Sequence, residues 1–180
     1  MRIHQDDAFV MVVDIQERLF PHIANNGLLA KNLIKLFTGL KLLDIPFILN
    51  EQYKKGLGET LLELREILGE VESYEKVTFS CCQNEPTLEA ILKKGKKVAI
   101  VAGVETHVCV LQTCLDLLAN DIQPVLVVDC IGSRDENDHK VAIQRLTHAG
   151  VILTTTESIL FELCHSAKNP VFKQISQLVK

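Results

Sequence analysis

The sequence contains no tryptophan, and its aromatic residues, 5% of the total, form no ladder interleaved with Lys or Arg. Its 19 basic and 23 acidic residues leave a net charge of −4. With no basic stripe to meet phosphates, a nucleic-acid partner is not expected. No apolar run approaches the roughly 20 residues that span a bilayer. The opening MRIHQDDAFV is too polar for a secretory signal. A cytoplasmic protein without a membrane partner is therefore expected. His4, His22, His107, His139, His148 and His165 form neither H-x-x-H nor H-E-x-x-H, so no metal site is expected. No C-x-x-C pair occurs. Gly56-Leu57-Gly58 lacks the third glycine of a dinucleotide loop and does not follow its strand directly. No cofactor is expected.

What the chain does have is 180 residues, 47% of them hydrophobic, enough for one domain over 1–180 with a sizeable core. Apolar runs at Ala8–Ile15, Pro46–Leu49, Val71–Val77, Val98–Ala102, Pro124–Val128 and Val151–Leu153 read as strands. Between and after them, helical periodicity covers Leu28–Leu43, Glu59–Leu68, Pro86–Lys94, the segment from Thr106 to about Ala119, Asn137–Ala149, Thr156–Cys164 and Pro170–Val179. Strands alternating with helices predict an α/β fold with a six-stranded, mostly parallel, Rossmann-like sheet. With the doubly wound order 3-2-1-4-5-6, strands one and four become neighbours, and a crevice opens at their carboxyl ends.

Cysteines stand at 81, 82, 109, 114, 130 and 164. Scattered through apolar segments, they suit reduced thiols, five of them acting as small buried hydrophobes. Cys109 differs. In Lys97–Cys114, KVAIVAGVETHVCVLQTC, a buried strand is followed by a turn and a helix. Thr106 is placed to cap that helix. Cys109 then falls in its first turn, where the positive end of the helix dipole favours a thiolate. This position suits a nucleophile. A cysteine nucleophile also needs a proton acceptor and a stabilising charge. Asp14, ending strand one, is a candidate base, with a cap or ion-pair role as its plainer alternative. Lys76, ending strand three, is a candidate cation, or else a solvated surface lysine. Backbone N–H groups of the Val104–Cys109 turn are the candidate oxyanion donors. His107, two residues before Cys109, points elsewhere on a helix and reads as a rim residue rather than half of a Cys–His dyad.

These residues together resemble the isochorismatase-like cysteine hydrolases. The shared elements are a strand ending D-x-Q (Asp14-Ile15-Gln16), a lysine after strand three (Lys76) and G-[VI]-x-T-x-x-C (Gly103 to Cys109). The resemblance covers nearly the whole chain. It implies a three-layer α/β/α sandwich and an Asp14–Lys76–Cys109 triad that works without cofactor through an acyl-enzyme. It also implies a cis peptide at Val104–Glu105 and an oxyanion hole from the N–H groups of Glu105 and Cys109. Gln16 and Gln52 are expected at the pocket. The metal-binding Asp/His cluster of nicotinamidases is replaced here by Asn50-Glu51-Gln52-Tyr53, so nicotinamidase activity is not expected. Isochorismatases proper lack the cysteine, so that activity is not expected either. The nearest likeness is to the small hydrolases of the isochorismatase-domain type.

The reading that follows is hydrolysis of a C–N bond in a small amide, imide or carbamoyl substrate. The alternative is a catalytically idle binding or scaffold protein that keeps the pocket. Apolar residues Ile143, Leu146, Phe161, Leu163, Phe172 and Ile175 exceed one core's apparent need. Together with the oligomers common in this family, they suggest a homo-oligomer.

Overall fold

The computed structural model describes residues 1–180. Its elements are β1 (Ala8–Val13), α1 (Asn26–Leu42), β2 (Phe47–Gln52), α2 (Lys54–Leu57), α3 (Leu62–Leu68), β3 (Glu72–Lys76) and α4 (Glu85–Lys93). They continue with β4 (Val98–Val104), α5 (Leu111–Ala119), β5 (Gln123–Gly132), α6 (Glu136–His148), β6 (Ile152–Thr154), α7 (Thr156–Cys164) and α8 (Phe172–Leu178). The strands form one sheet in the order β3-β2-β1-β4-β5-β6, and every pairing in it is parallel.

Alternate residues of the central strands feed two separate cores, as a sheet covered on both faces requires. Ala8, Val10 and Val12 of β1 join a cluster with α1, α7 and Ile175 of α8. Phe9, Met11 and Val13 join the other, with Ile91 of α4 and Cys114 and Leu117 of α5. The strand is buried along its whole length, which is why it reads as an unbroken apolar run. The result is the three-layer sandwich expected.

Gly103 is required where β4 faces the end of β1, at Val13. It sits at φ 132, and a Cβ there would collide with the Val13 carbonyl oxygen. Opposite it, β5 slips register: Val101 pairs with Leu126 but Gly103 with Ile131. This irregularity carries β5 to Gly132, beyond the Val128 end expected from the apolar run. Asp129 therefore lies inside the strand, its Oδ1 accepting the Thr156 N–H at 2.8 Å.

The apolar surplus expected of the late helices is absorbed within the chain. Leu146, Leu163 and Ile175 are buried, while Ile143, Phe161 and Phe172 pack against the two cores. The exposed large hydrophobics are others, among them Leu28 and Val141. No helix is long and apolar enough to cross a membrane.

Candidate active site

β1 and β4 lie side by side, Val13 opposite Gly103. Their carboxyl ends therefore deliver Asp14 and the turn leading to Cys109 to the same level. β3 is two strands away, its Lys76 paired with Gln52 of β2, and a long side chain spans the gap. Lys76 Nζ donates to Asp14 Oδ2 at 2.8 Å, and neither side chain has any exposed surface. The same ammonium donates to Gln52 Oε1 at 2.7 Å and to the carbonyls of Phe79 at 3.0 Å and Thr78 at 3.3 Å. Lys76 is thus a buried, oriented cation rather than a solvated surface lysine.

Asp14 adopts φ 52, a left-handed conformation that Asp tolerates better than most residues. Its N–H donates to the Asn50 carbonyl at 3.1 Å. Asp14 Oδ1 is buried with no hydrogen-bond partner. Burial raises the carboxyl's pKa, while Lys76 and the neighbouring Cys109 thiol pull it back. The thiol is close enough to act on the carboxylate, though its geometry falls short of a formed hydrogen bond. An Asp so placed is a stronger base than an exposed one.

Cys109 stands in a π-helical turn, Thr106–Val110, ahead of α5. Burial pushes its thiol pKa well above the ordinary value, Asp14 adds to the rise, and Lys76 opposes it. The thiolate expected from the helix start is therefore not the resting form. A helix terminus contributes about 0.3–1 kcal/mol, less than the desolvation of a buried ionised sulfur. For Lys76, burial works to lower the pKa, but the Asp14 carboxylate, as charge and as hydrogen-bond acceptor, leads the opposing effects and the ammonium is held above its usual value. Cys81, fully buried, is the second thiol in this electrostatic group.

The Val104–Glu105 peptide is cis. The Glu105 carbonyl accepts from Val108 at 3.1 Å and from Val110 at 3.2 Å, the two residues flanking Cys109. Thr106 does not cap this helix. Its Oγ1 instead lies 2.9 Å from His139 Nδ1, and Glu105 holds the cap position. His107 Nδ1 lies 3.0 Å from Ser133 Oγ, so His107 is engaged at the rim rather than with the sulfur.

Gln16 does not line a pocket. It has no exposed surface, and its amide is consumed by backbone. Nε2 donates to the carbonyls of Gly58 at 2.7 Å and Gln52 at 2.9 Å, while Oε1 accepts the Gln52 N–H at 2.7 Å. Gln16 clips the end of β2, and Gln52 on that end holds Lys76. Gln52 is thus part of the constellation and Gln16 is one step behind it.

Two acidic residues emerge that periodicity did not single out. Glu51, nearly fully buried, accepts the Thr60 N–H and Oγ1 at 2.7 and 2.8 Å and pairs with Lys54 at 3.0 Å. Burial works to raise its pKa, but Thr60 and Lys54 outweigh this and leave it lowered. The Glu105 carboxylate, also buried, receives Arg134 N–H at 2.9 Å and Arg134 Nε at 3.0 Å. Glu51 stands inside β2 and Glu105 in the turn after β4; their partners, 9 and 29 residues away, carried no local signal. No three His, Cys, Asp or Glu side chains converge in a metal-binding arrangement. The cation on Asp14 is the Lys76 ammonium.

Residues 8–158 match the isochorismatase domain family. The chain is 38% identical over 169 residues to isochorismatase domain-containing protein 1 of Danio rerio, covering 93% of this chain and 59% of that one. It therefore spans under two thirds of that relative's length. Among solved structures, the MAR1 ribonuclease of Caenorhabditis elegans superposes with a TM-score of 0.94 at 37% identity, over 99% of this chain and 92% of the other. The YcaC gene product of Escherichia coli, an octameric hydrolase of unknown specificity, also gives 0.94, at 26% identity and covering 99% and 89%.

Proposed function

This chain belongs to the isochorismatase family, and from that premise we propose a cysteine hydrolase. Its substrate is a small amide, imide or carbamoyl compound whose C–N bond opens through an acyl-enzyme on Cys109. One observation carries this reading: Asp14 has one oxygen on Lys76 and the other buried without a partner, beside a thiol that interacts with it.

Cys109 rests protonated. As its sulfur attacks the carbonyl carbon, Asp14 accepts the thiol proton, so no free thiolate has to be desolvated. Negative charge moves onto the carbonyl oxygen, which the N–H groups of Glu105 and Cys109 receive as the oxyanion hole. Asp14 returns the proton to the departing nitrogen, the C–N bond breaks, and a thioester remains. Water then attacks the thioester, giving its proton to Asp14, and the acid is released as the sulfur recovers its proton. Lys76 stays charged throughout and prevents Asp14 from keeping the proton.

The test is intact-mass spectrometry after brief exposure to p-nitrophenyl acetate. An acetyl adduct mapped to Cys109, absent in Cys109→Ala, is expected. No adduct on Cys109 would favour the idle binding protein instead. The name of the Caenorhabditis elegans neighbour brings a competing class, phosphodiester cleavage. RNA cleavage that Cys109→Ala abolishes would move the assignment to that class. The octameric state of YcaC and the exposed Leu28 and Val141 support a homo-oligomer. Sedimentation as only the 20.1 kDa species would refute it.

A further inference from the structure

The end of β2 carries a buried acid that the reaction above does not use. Val13 and Asn50 are register partners on β1 and β2, so the next pair, Asp14 and Glu51, stand at one level. Both neighbours of Glu51 hold the triad. The Asn50 carbonyl accepts the Asp14 N–H at 3.1 Å, and Gln52 Oε1 accepts from Lys76 Nζ at 2.7 Å. Thr60, to which the Glu51 side chain is bonded, forms a β-bridge with Gln16 just beyond Asp14. The Glu51 carboxylate, its side chain 3% exposed, is thus enclosed between its own strand and the segment packed against the exit from Asp14.

A purely structural role does not explain the charge. Oε1 takes both Thr60 donors, the N–H at 2.7 Å and Oγ1 at 2.8 Å, and a glutamine amide oxygen would accept them equally. Oε2 faces Lys54 Nζ at 3.0 Å and accepts from Ser73 Oγ at 3.4 Å. Lys54 is 37% exposed and also lies 3.7 Å from Glu59, so water screens its ammonium from the interior. Glu75, the register partner of Glu51 on β3, accepts the Lys54 N–H at 2.8 Å. Inside, two acids, Asp14 and Glu51, face one ammonium, because Lys76 is the only buried cation of the chain. Adjacent like charges disfavour ionisation of both. Thr60 and Lys54 keep Glu51 ionised, so the cost falls on Asp14. Burial leads in raising the Asp14 pKa, Lys76 and Cys109 pull it back, and Glu51 adds to the rise. Cys81, the other titratable group in this field, stays protonated.

From this placement, and resting on Cys109 as the nucleophile, we propose that Glu51 is a positioning residue acting through Asp14: its fixed negative charge beside the base offsets part of the pull of Lys76 and keeps Asp14 able to take the thiol proton. Lys76 orients the base, and Glu51 keeps that ammonium from making it too weak.

The experiment follows acetylation of Cys109 by p-nitrophenyl acetate across pH, read by intact mass. The sulfur takes the acetyl group, p-nitrophenolate leaves, and the thiol proton goes to Asp14. The acid limb of the rate reports the proton taken up by the Asp14–Cys109 pair. In Glu51→Gln, which keeps the acceptor for Thr60, the midpoint of that limb is expected to move to lower pH by about half a unit, the scale of one partly screened charge. An unmoved midpoint, or one moved upward by a loosened Lys76, overturns the proposal and leaves Glu51 as a brace for β2. Lys54→Met, a change at an exposed side chain, is the second variant and decides the matter if Glu51→Gln does not fold. It strips Glu51 of its counter-charge, so its midpoint is expected to move to higher pH, and an unmoved or lowered one overturns the proposal. A native protein that takes no acetyl group on Cys109 at any pH would overturn the nucleophile assignment and this inference with it.

Discussion

Lys76 Nζ sits 2.8 Å from Asp14 Oδ2, 62 residues away in sequence, with both side chains fully withdrawn from water. A pair buried this completely is weak evidence for stability, because desolvating two charges offsets most of their attraction. Removing one partner is another matter, since it strands the other. Lys76→Met is expected to lower the free energy of unfolding by about 3–5 kcal/mol. The double variant Lys76→Met with Asp14→Asn, which keeps a residue suited to φ 52, should recover part of that loss while remaining inactive. Urea denaturation of the three proteins decides it; a double variant less stable than Lys76→Met would contradict the picture of a functional rather than structural pair.

Alkaline pH should destabilise the protein before lysines titrate. Burial raises the thiol pKa values of Cys81, Cys82, Cys109, Cys114 and Cys130, that of Cys82 to about 12. In the unfolded chain a thiol ionises near pH 8.5. Below that value both states are protonated and the contribution is complete. Above it the unfolded chain has lost protons that the folded chain retains, so stability declines as pH rises toward the folded values. Each thiol adds at most about 1.4 kcal/mol per pH unit. The urea midpoint is expected to drop between pH 8 and pH 10.5; a flat midpoint would contradict the buried, protonated thiols.

The fold was legible because its signals are local. Ala8–Val13 and Val98–Ala102 are apolar at every position, as strands covered on both faces must be. Thr156–Cys164 begins after a Thr155 side chain that caps it, and its helix follows the expected limits. The order of motifs was likewise enough to name Asp14, Lys76 and Cys109, which the chain brings together around one buried ion pair. Partner choice was not legible. Nothing in the spacing tells that Gln16 spends its amide on Gln52 and Gly58, or that Glu105 reaches Arg134. Asp129 looked like a strand end because a polar residue usually is one, and only the register slip against β4 shows otherwise. The thiolate expectation failed for a reason of magnitude: the local dipole was visible, and the larger desolvation was not.

Gln16→Ala should act at a distance. It removes three hydrogen bonds and leaves the Gln52 N–H and two carbonyls, of Gln52 and Gly58, without partners at a buried site. An unsatisfied buried group costs about 1–3 kcal/mol, so a loss of at least about 3 kcal/mol in thermal or urea unfolding is expected. Turnover of any substrate found should also fall, because Gln52 shares the Lys76 ammonium with Asp14. Gln16→Glu serves as the contrasting variant, keeping the acceptor for the Gln52 N–H while losing both donors. If Gln16→Ala unfolds like the native protein, the clip at the end of β2 is not what fixes Gln52.

Gly103→Ala tests the close approach of β1 and β4. The position combines φ 132 with a Val13 carbonyl where the new methyl would go, and neither backbone yields without disturbing the sheet's central pairing. A cost above about 3 kcal/mol is expected, from strain and collision together. Insoluble expression or a melting temperature lowered by more than about 8 °C would agree with it, whereas a native-like melt would mean that β4 can shift.

Cys109→Ala separates activity from stability. The thiol is small, sits at the end of an apolar cluster, and makes no well-formed hydrogen bond, so its loss is expected to change unfolding by no more than about 1 kcal/mol. Its removal leaves Asp14 without a proton to take and the substrate without a nucleophile, so turnover should fall at least about a thousandfold. Asp14→Asn should match it in activity, yet for another reason: the amide cannot accept the thiol proton. Iodoacetamide tells the two apart. In Asp14→Asn the carboxylate no longer raises the thiol pKa while Lys76 still lowers it, so Cys109 should be labelled at pH 7 no more slowly than in the native protein although turnover is lost. An Asp14→Asn variant that keeps native turnover would remove Asp14 from the role of base.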